Sequence, residues 1–290
     1  RHAAAERPDG TERERLTRQA IHYCWENFDH LGDIIEEEEF AFLHRWMAAE
    51  LDKQDAMLLQ RLEHGFVRDC HGDLHLGKLV RQPSGITPFD CIEFNPDLRY
   101  TDVFADVVFL TMDLTEKGHP DLAAHFLNRY LECNGDYEGA VLLDLFFVYR
   151  CLVRAKVAAI RSRERESEAE RSADIRDARE YSAMARRQVA RSRPVLVIMC
   201  GLSGSGKTWL AERLMAALPA IRVRSDIERK RLFGLDETAE TGSGIGTGIY
   251  SPEASAETYE RLFTLADSLL AAGHNVVLDA AFLKEEQRVS

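Results

Sequence analysis

One stretch constrains this chain more than any other: the apolar run Val195-Leu-Val-Ile-Met-Cys200, then Gly201-Leu-Ser-Gly-Ser-Gly206-Lys207-Thr208, then Trp209 to Leu218 at helical spacing. A short apolar run closed by glycine reads as a strand buried on both faces. The glycines match G-x-x-x-x-G-K-[ST], a loop whose backbone N–H groups turn inward to wrap phosphates at the positive end of the helix that follows. Gly201, Ser203, Gly204, Ser205, Gly206, Lys207 and Thr208 would line it. Lys207 would neutralise β- and γ-phosphate charge, and the Thr208 hydroxyl would ligate magnesium. A chance glycine loop is the alternative, and the strand–loop–helix context argues against it.

Two more strands follow, AIRVRSD and NVVLDA, with helical texture between them. Alternating β and α with strands free of polar interruption predicts a parallel sheet covered on both faces, an α/β P-loop domain over residues 194–290. Asp226 ends the second strand, where a carboxylate can take or orient the proton of an acceptor hydroxyl. It could equally cap the helix IERKRLF. Asp279 ends the third strand in the position of a magnesium-holding carboxylate, or else is an ordinary turn residue. Arg222, Arg224, Arg229, Lys230 and Arg231 surround Asp226; one or two could meet a phosphate, the rest being solvated helix-face charges. In TGSGIGTGIYSP glycines recur at every second position, yet no strand precedes them, so a mobile loop fits better than a dinucleotide fingerprint.

From Val195 onward the chain resembles the small P-loop kinases that phosphorylate hydroxyl groups, the group that includes polynucleotide kinase, gluconate kinase and zeta-toxin-like enzymes. The resemblance implies ATP and Mg2+ as cofactors, Asp226 as base and Arg229, three residues later, as a phosphate contact. It extends over about half of such a domain, without the arginine-bearing lid and the last strands.

Composition narrows the partners. A net charge of -12 over 290 residues gives no sequence-wide positive field for coating nucleic acid or binding an anionic membrane. The six cysteines show no C-x-x-C pair and no zinc spacing, which suits a reducing compartment. No apolar run reaches bilayer length, and RHAAAERPDG lacks the apolar core of a signal peptide. The expectation is a cytoplasmic protein, and, with no initial methionine, a piece of something longer. Oligomeric state is not legible.

Before residue 194 the texture is mostly helical. Residues 11–63 carry apolar positions at helical spacing, and Glu36–Glu39 read as a solvated helix start. Between Phe66 and Phe94 short apolar runs break at glycine and proline, and QPSG reads as a hairpin turn. Helices then resume, and residues 161–193 read as a charged surface or connecting helix with a thin apolar stripe.

The remaining signal is His71-Gly-Asp73-Leu-His75-Leu-Gly-Lys78. In the loop H-x-D-L-x-x-x-N of phosphotransferases, the Asp handles the acceptor's proton, the His supports the loop, and the Asn holds magnesium. Asp90 stands seventeen residues after Asp73 (90 − 73 = 17), beyond the hairpin, where such enzymes carry a metal Asp. A zinc triplet of His71, Asp73 and His75 and purely structural histidines are the other readings. With PFDCIEFNPDLRYTDVFADVVFLTMDL and YRCLVRAKVAA, this stretch resembles the aminoglycoside phosphotransferase family, and more closely bacterial two-domain proteins joining such a domain to a C-terminal P-loop kinase. The resemblance implies a fold of α+β class, the helical C-lobe of a protein-kinase-like fold, over residues 1–160, with no counterpart of the nucleotide-covering N-lobe. It implies Asp73 as catalytic Asp, Asp90 as metal Asp and Asp106 as a support for the loop, or else a helix-start charge. Lys78 departs from it. An ammonium there would repel magnesium, and the expectation is an ion pair with Asp73 or Asp90, or a side chain in solvent.

The expected function is ATP-dependent transfer of a γ-phosphoryl group to a hydroxyl of a small molecule or nucleotide through the P-loop. A nucleotide-binding regulatory protein with a silent kinase-like half is the alternative. Antibiotic phosphorylation by the first half alone is disfavoured by the missing lobe.

Overall fold

A computed structural model of the protein describes residues 2–8, 22–190, 193–202, 204–239, 248–283, 285 and 287. The chain forms two compact units, residues 1–114 with 142–191 and residues 115–141 with 192–290. Ser203, residues 11–21 of the first helical stretch and residues 241–247 of the glycine-rich segment lie outside the described residues.

In the first unit, α1 (Glu37–Glu63) opens with Glu37, Glu38 and Glu39 in its first turn, carboxylates at the positive end of the helix dipole. It buries Leu43, Met47, Leu51 and Leu62. β1 (Val67–Asp69) is followed by the hairpin of β2 (Leu79–Gln82) and β3 (Gly85–Pro88), the turn expected from QPSG. β4 (Tyr100–Asp102) returns to pair antiparallel with β1 and runs straight into α2 (Val103–Glu116). Every α2 residue from Val103 to Leu114 is buried, which explains an apolar texture without helical periodicity. α3 (Pro120–Asn134) belongs to the second unit. α4 (Leu143–Glu164) and α5 (Glu168–Val189) pack along each other. The thin stripe of α5 is their seam: Ala178, Tyr181 and Ala185 are buried, and Asp174 takes ion pairs from Arg161 at 3.0 Å and Arg165 at 2.8 Å.

The second unit is built on β5 (Leu196–Met199), α6 (Lys207–Ala217), β6 (Ala220–Arg224), α7 (Ser225–Leu232), α8 (Pro252–Ala271) and β7 (Asn275–Asp279). The strands run parallel in the order β5-β7-β6, so the last strand in sequence inserts between the first two. A three-stranded parallel sheet with flanking helices fits an α/β P-loop NTPase domain. Met199, Ala211, Ala220 and Val277 form one cluster of its core, with Val197, Leu214 and Leu218 against them. α3 seals the open edge of β6. The Asn128 side chain accepts from Arg222 N at 2.6 Å and donates to the Ala220 carbonyl at 2.9 Å, replacing a neighbouring strand. Among the described residues no helix is long and apolar enough to cross a membrane.

Candidate functional site

The phosphate-type loop begins where β5 ends. Gly201, Gly204 and Gly206 have φ of 143°, 77° and 86°, conformations that cost side-chain-bearing residues strain. A Cβ on Gly201 would also meet Ser205 Oγ at 2.9 Å. The loop is tied to the chain beyond β7: Gly201 N donates to the Ala281 carbonyl at 3.0 Å, and the Cys200 thiol to the Phe282 carbonyl at 3.3 Å. Lys207 and Thr208 open α6, whose first-turn N–H groups have no intrahelical acceptors and point their partial positive charge toward the loop. The Lys207 ammonium reaches back to donate to the Leu202 carbonyl at 2.7 Å.

Strand register brings Asp279 to this edge. It lies beside Met199 of β5 on one side and Arg224 of β6 on the other. Asp279 is 6% exposed, its Oδ2 has no hydrogen-bond partner among the described residues, and Arg224 Nε lies 4.0 Å away. A buried carboxylate oxygen without a donor is costly, and a hard divalent cation is the ligand its chemistry suits. The glycine conformations, the helix start and this oxygen together fit a nucleoside triphosphate with magnesium.

Asp226 is the second residue of α7 and half exposed; Lys230 Nζ lies 3.2 Å from one oxygen, and Tyr250 donates its hydroxyl to the other at 3.3 Å. It is both a helix-start carboxylate and an accessible one. Arg229 points elsewhere. It is 8% exposed, donates to the Ile249 carbonyl at 2.8 Å and Ser255 Oγ at 3.2 Å, and lies over the Tyr250 ring. Its Nη1 braces residues 249–255 against α7. The other basic residues of the cluster are also engaged. Arg222 pairs with Glu132 at 2.7 Å, Arg224 with Glu132 at 3.6 Å, Arg231 with Glu228, and Lys230 with the Glu237 carbonyl as well as Asp226. Arg222 is therefore a buried strand residue, not a solvated helix-face charge. Glu132, 2% exposed, organises these arginines from α3, about ninety residues earlier, and no local pattern marks it.

In the first unit, the His71–Lys78 loop is held by Asp106. This fully buried carboxylate accepts from His71 N at 2.7 Å and Gly72 N at 2.9 Å. Gly72 has φ 79°, and a Cβ there would lie 2.9 Å from the Leu98 carbonyl oxygen, so both conformation and space demand glycine. His71 and His75 do not converge on one ligand position with Asp73. The His71 Nε2 meets the Phe89 carbonyl at 2.8 Å, while His75 Nδ1 accepts from Gly77 N at 3.2 Å. That leaves His75 Nε2 to carry the proton, 3.6 Å from Asp73. Burial acts to raise the Asp73 carboxyl, but the His75 contact and the charges of Arg150 and Lys78 outweigh it and hold it below the usual carboxylate range. Of its two expected partners, Lys78 pairs with Asp90, at the exposed end of the hairpin. Two groups escaped the sequence reading: Asp113, whose Oδ2 accepts from Leu76 N at 2.8 Å, and Arg150, whose Nε donates to the Ala105 carbonyl at 3.1 Å.

Comparison with known proteins adds one family and one set of relatives. Residues 196–290 match the family model described as an AAA domain. The chain is 29% identical over 235 residues to uncharacterized protein Rv2004c of Mycobacterium tuberculosis and, at the same identity, to uncharacterized protein Mb2027c of Mycobacterium bovis. Those alignments cover 81% of this chain and 46% of each relative, so the chain spans about half the length of the curated relatives it matches. No solved structure matches. The AAA-domain match, with the loop and sheet above, supports a P-loop domain of nucleotide-binding, kinase- or ATPase-like type over residues 196–290.

Proposed function

We propose that the second unit is an ATP-dependent phosphotransferase acting on a hydroxyl of a small molecule or nucleotide. The observation that carries this reading is Asp279, with a buried oxygen that has no partner among the described residues, at the sheet edge where the P-loop begins. ATP with Mg2+, when bound, supplies the γ-phosphoryl group. Gly201, Gly204, Ser205, Gly206 and the start of α6 would hold the phosphates, and Ser203 belongs to the same loop sequence. Lys207 would exchange the Leu202 carbonyl for phosphate oxygens, a stronger charge-assisted partner. Thr208 and Asp279 would hold the metal. Asp226 would orient the acceptor hydroxyl and take its proton, with Lys230 and Tyr250 fixing the carboxylate. Arg229, whose Nη1 is engaged with Ile249 and Ser255, would support this base through Tyr250 and keep Nε and Nη2 for a phosphate.

For the first unit, the proposal is a protein-kinase-like helical lobe with Asp73 and Asp90 in the catalytic and metal positions of the aminoglycoside phosphotransferase family. The second reading, a nucleotide-binding regulatory protein with a silent first unit, is favoured by the Lys78–Asp90 ion pair. A cytoplasmic location is part of the same proposal.

Titration with a fluorescent ATP analogue tests the nucleotide site: Lys207→Ala should weaken binding at least about tenfold. Equal affinity in the two chains would remove the assignment. Phosphate incorporation from ATP into sugars, nucleosides or antibiotics, abolished by Lys207→Ala, separates the enzyme from the regulatory reading.

A further inference from the structure

The first unit contains a cavity of about 100 Å³ that no part of the phosphotransferase reading uses. Its walls come from α1 (Leu51, Leu58, Leu62), from Leu98 before β4, and from Leu145 and Phe146 of α4. Such a lining favours a ring or short aliphatic body of single-ring size. Two polar groups of α4, Tyr149 and Arg150, also line it.

The polar groups decide what can enter. Asp97 and Asp102 line the cavity too, and Asp102 is matched by Arg61, which approaches its two oxygens at 2.6 and 3.0 Å. Arg150 has no such match. It is 5% exposed and stacks over the Phe109 and Tyr149 rings. Its one hydrogen bond among the described residues is the Nε contact with the Ala105 carbonyl, and it forms no ion pair there. The two terminal nitrogens are left without an acceptor among the described residues, although a guanidinium presents a fork suited to a carboxylate. The Tyr149 hydroxyl likewise makes no hydrogen bond among the described residues, and burial pushes it up to about 12, so it meets a ligand as a neutral donor. A buried cation and a hydroxyl both lacking acceptors, above an apolar floor, suit an anion with an apolar body.

We infer that this cavity is a binding site for a small monocarboxylate carrying one ring, its carboxylate on Arg150 and Tyr149 and its ring against Leu51, Leu58, Leu98 and Phe146. Arg150 also connects the cavity to the His71–Lys78 loop. Its Nε holds the carbonyl of Ala105, the residue before Asp106, and Asp106 holds the amides of His71 and Gly72. Occupancy would therefore be felt at Asp73.

Benzoate and benzyl alcohol, matched in ring and differing in charge, are the probes, with binding to the full chain read by isothermal titration calorimetry. Expected is saturable binding of one benzoate per chain, at least about tenfold tighter than benzyl alcohol. Leu58→Trp, which fills the cavity from a half-buried position, should abolish it while the far-ultraviolet circular dichroism spectrum and melting point stay native-like. Tyr149→Phe should weaken benzoate about fivefold. No saturable benzoate binding, equal affinity for the two probes, or undiminished affinity in either variant overturns the assignment.

Discussion

Lys78 sets its ammonium on the Asp90 carboxylate, joining the loop that carries Asp73 to the segment leaving β3 at the open end of the hairpin. Both groups are partly exposed, so water and salt screen the pair and its contribution to stability is small. Its field matters more. The Lys78 charge is one of the effects keeping the Asp73 carboxyl below the usual range. Lys78→Met should therefore raise the Asp73 pKa toward the ordinary value, read by carbon-detected NMR of the carboxyl during a pH titration. An unchanged pKa would mean that the ammonium acts on Asp90 alone.

Asp106 gives the first unit an acid-sensitive lock. Burial acts to raise its pKa, but His2, Arg150 and the His71 amide together hold it below the usual carboxylate range. A carboxyl depressed on folding contributes stability above its unfolded pKa of about 3.9, and that stability is lost as pH falls through the lower folded value. Asp106→Asn keeps one acceptor but turns an amide donor toward a backbone N–H, at a cost of about 2–4 kcal/mol at pH 7. Denaturant melts at pH 7 and pH 3 should show the gap to the native chain shrinking in acid. A gap of constant size would show that the charge of Asp106 is immaterial.

How much of this was legible follows from the range of the interactions. The P-loop, the β2–β3 hairpin and the parallel sheet are written in local pattern, because glycine conformation, turn residues and strand burial depend on neighbours in sequence. Asp106 was legible only through family resemblance, since its partners His71 and Gly72 lie over thirty residues away. Glu132 and Asn128 left no trace. Their work is done against β6, about ninety residues on, and in sequence they are ordinary polar positions of an amphipathic helix. Arg229 reads in sequence as a charge beside Asp226, and its tie through Nη1 to Ile249 and Ser255, more than twenty residues on, was not legible there.

Asn128 offers a test of how an edge strand is closed by a side chain. Asn128→Ala leaves Arg222 N without its acceptor and the Ala220 carbonyl without its donor, in a buried setting, and should cost about 2–4 kcal/mol in urea unfolding. Asn128→Asp keeps the acceptor but sets carboxylate oxygen against carbonyl oxygen. Protonation restores a donor there, so its deficit should narrow below about pH 5, unlike that of the alanine variant. Parallel pH dependence in the two variants would show that the Ala220 contact contributes nothing.

Asp279 sets stability against function. Its Oδ2 is buried without a hydrogen bond among the described residues, and Arg224 stands too far away to donate one. Removing the charge should therefore cost the empty protein little or stabilise it, whereas removing a well-satisfied buried carboxylate costs several kcal/mol. If the oxygen is kept for a metal, its loss appears only when nucleotide and magnesium are present. The native chain should bind an ATP analogue at least about tenfold tighter with Mg2+ than with EDTA, and in Asp279→Asn that ratio should fall toward one. The melting point of the nucleotide-free variant should equal or exceed the native one. A lower melting point with an intact magnesium ratio would make Asp279 a structural residue, and the metal would have to be held by Thr208 and groups other than this carboxylate.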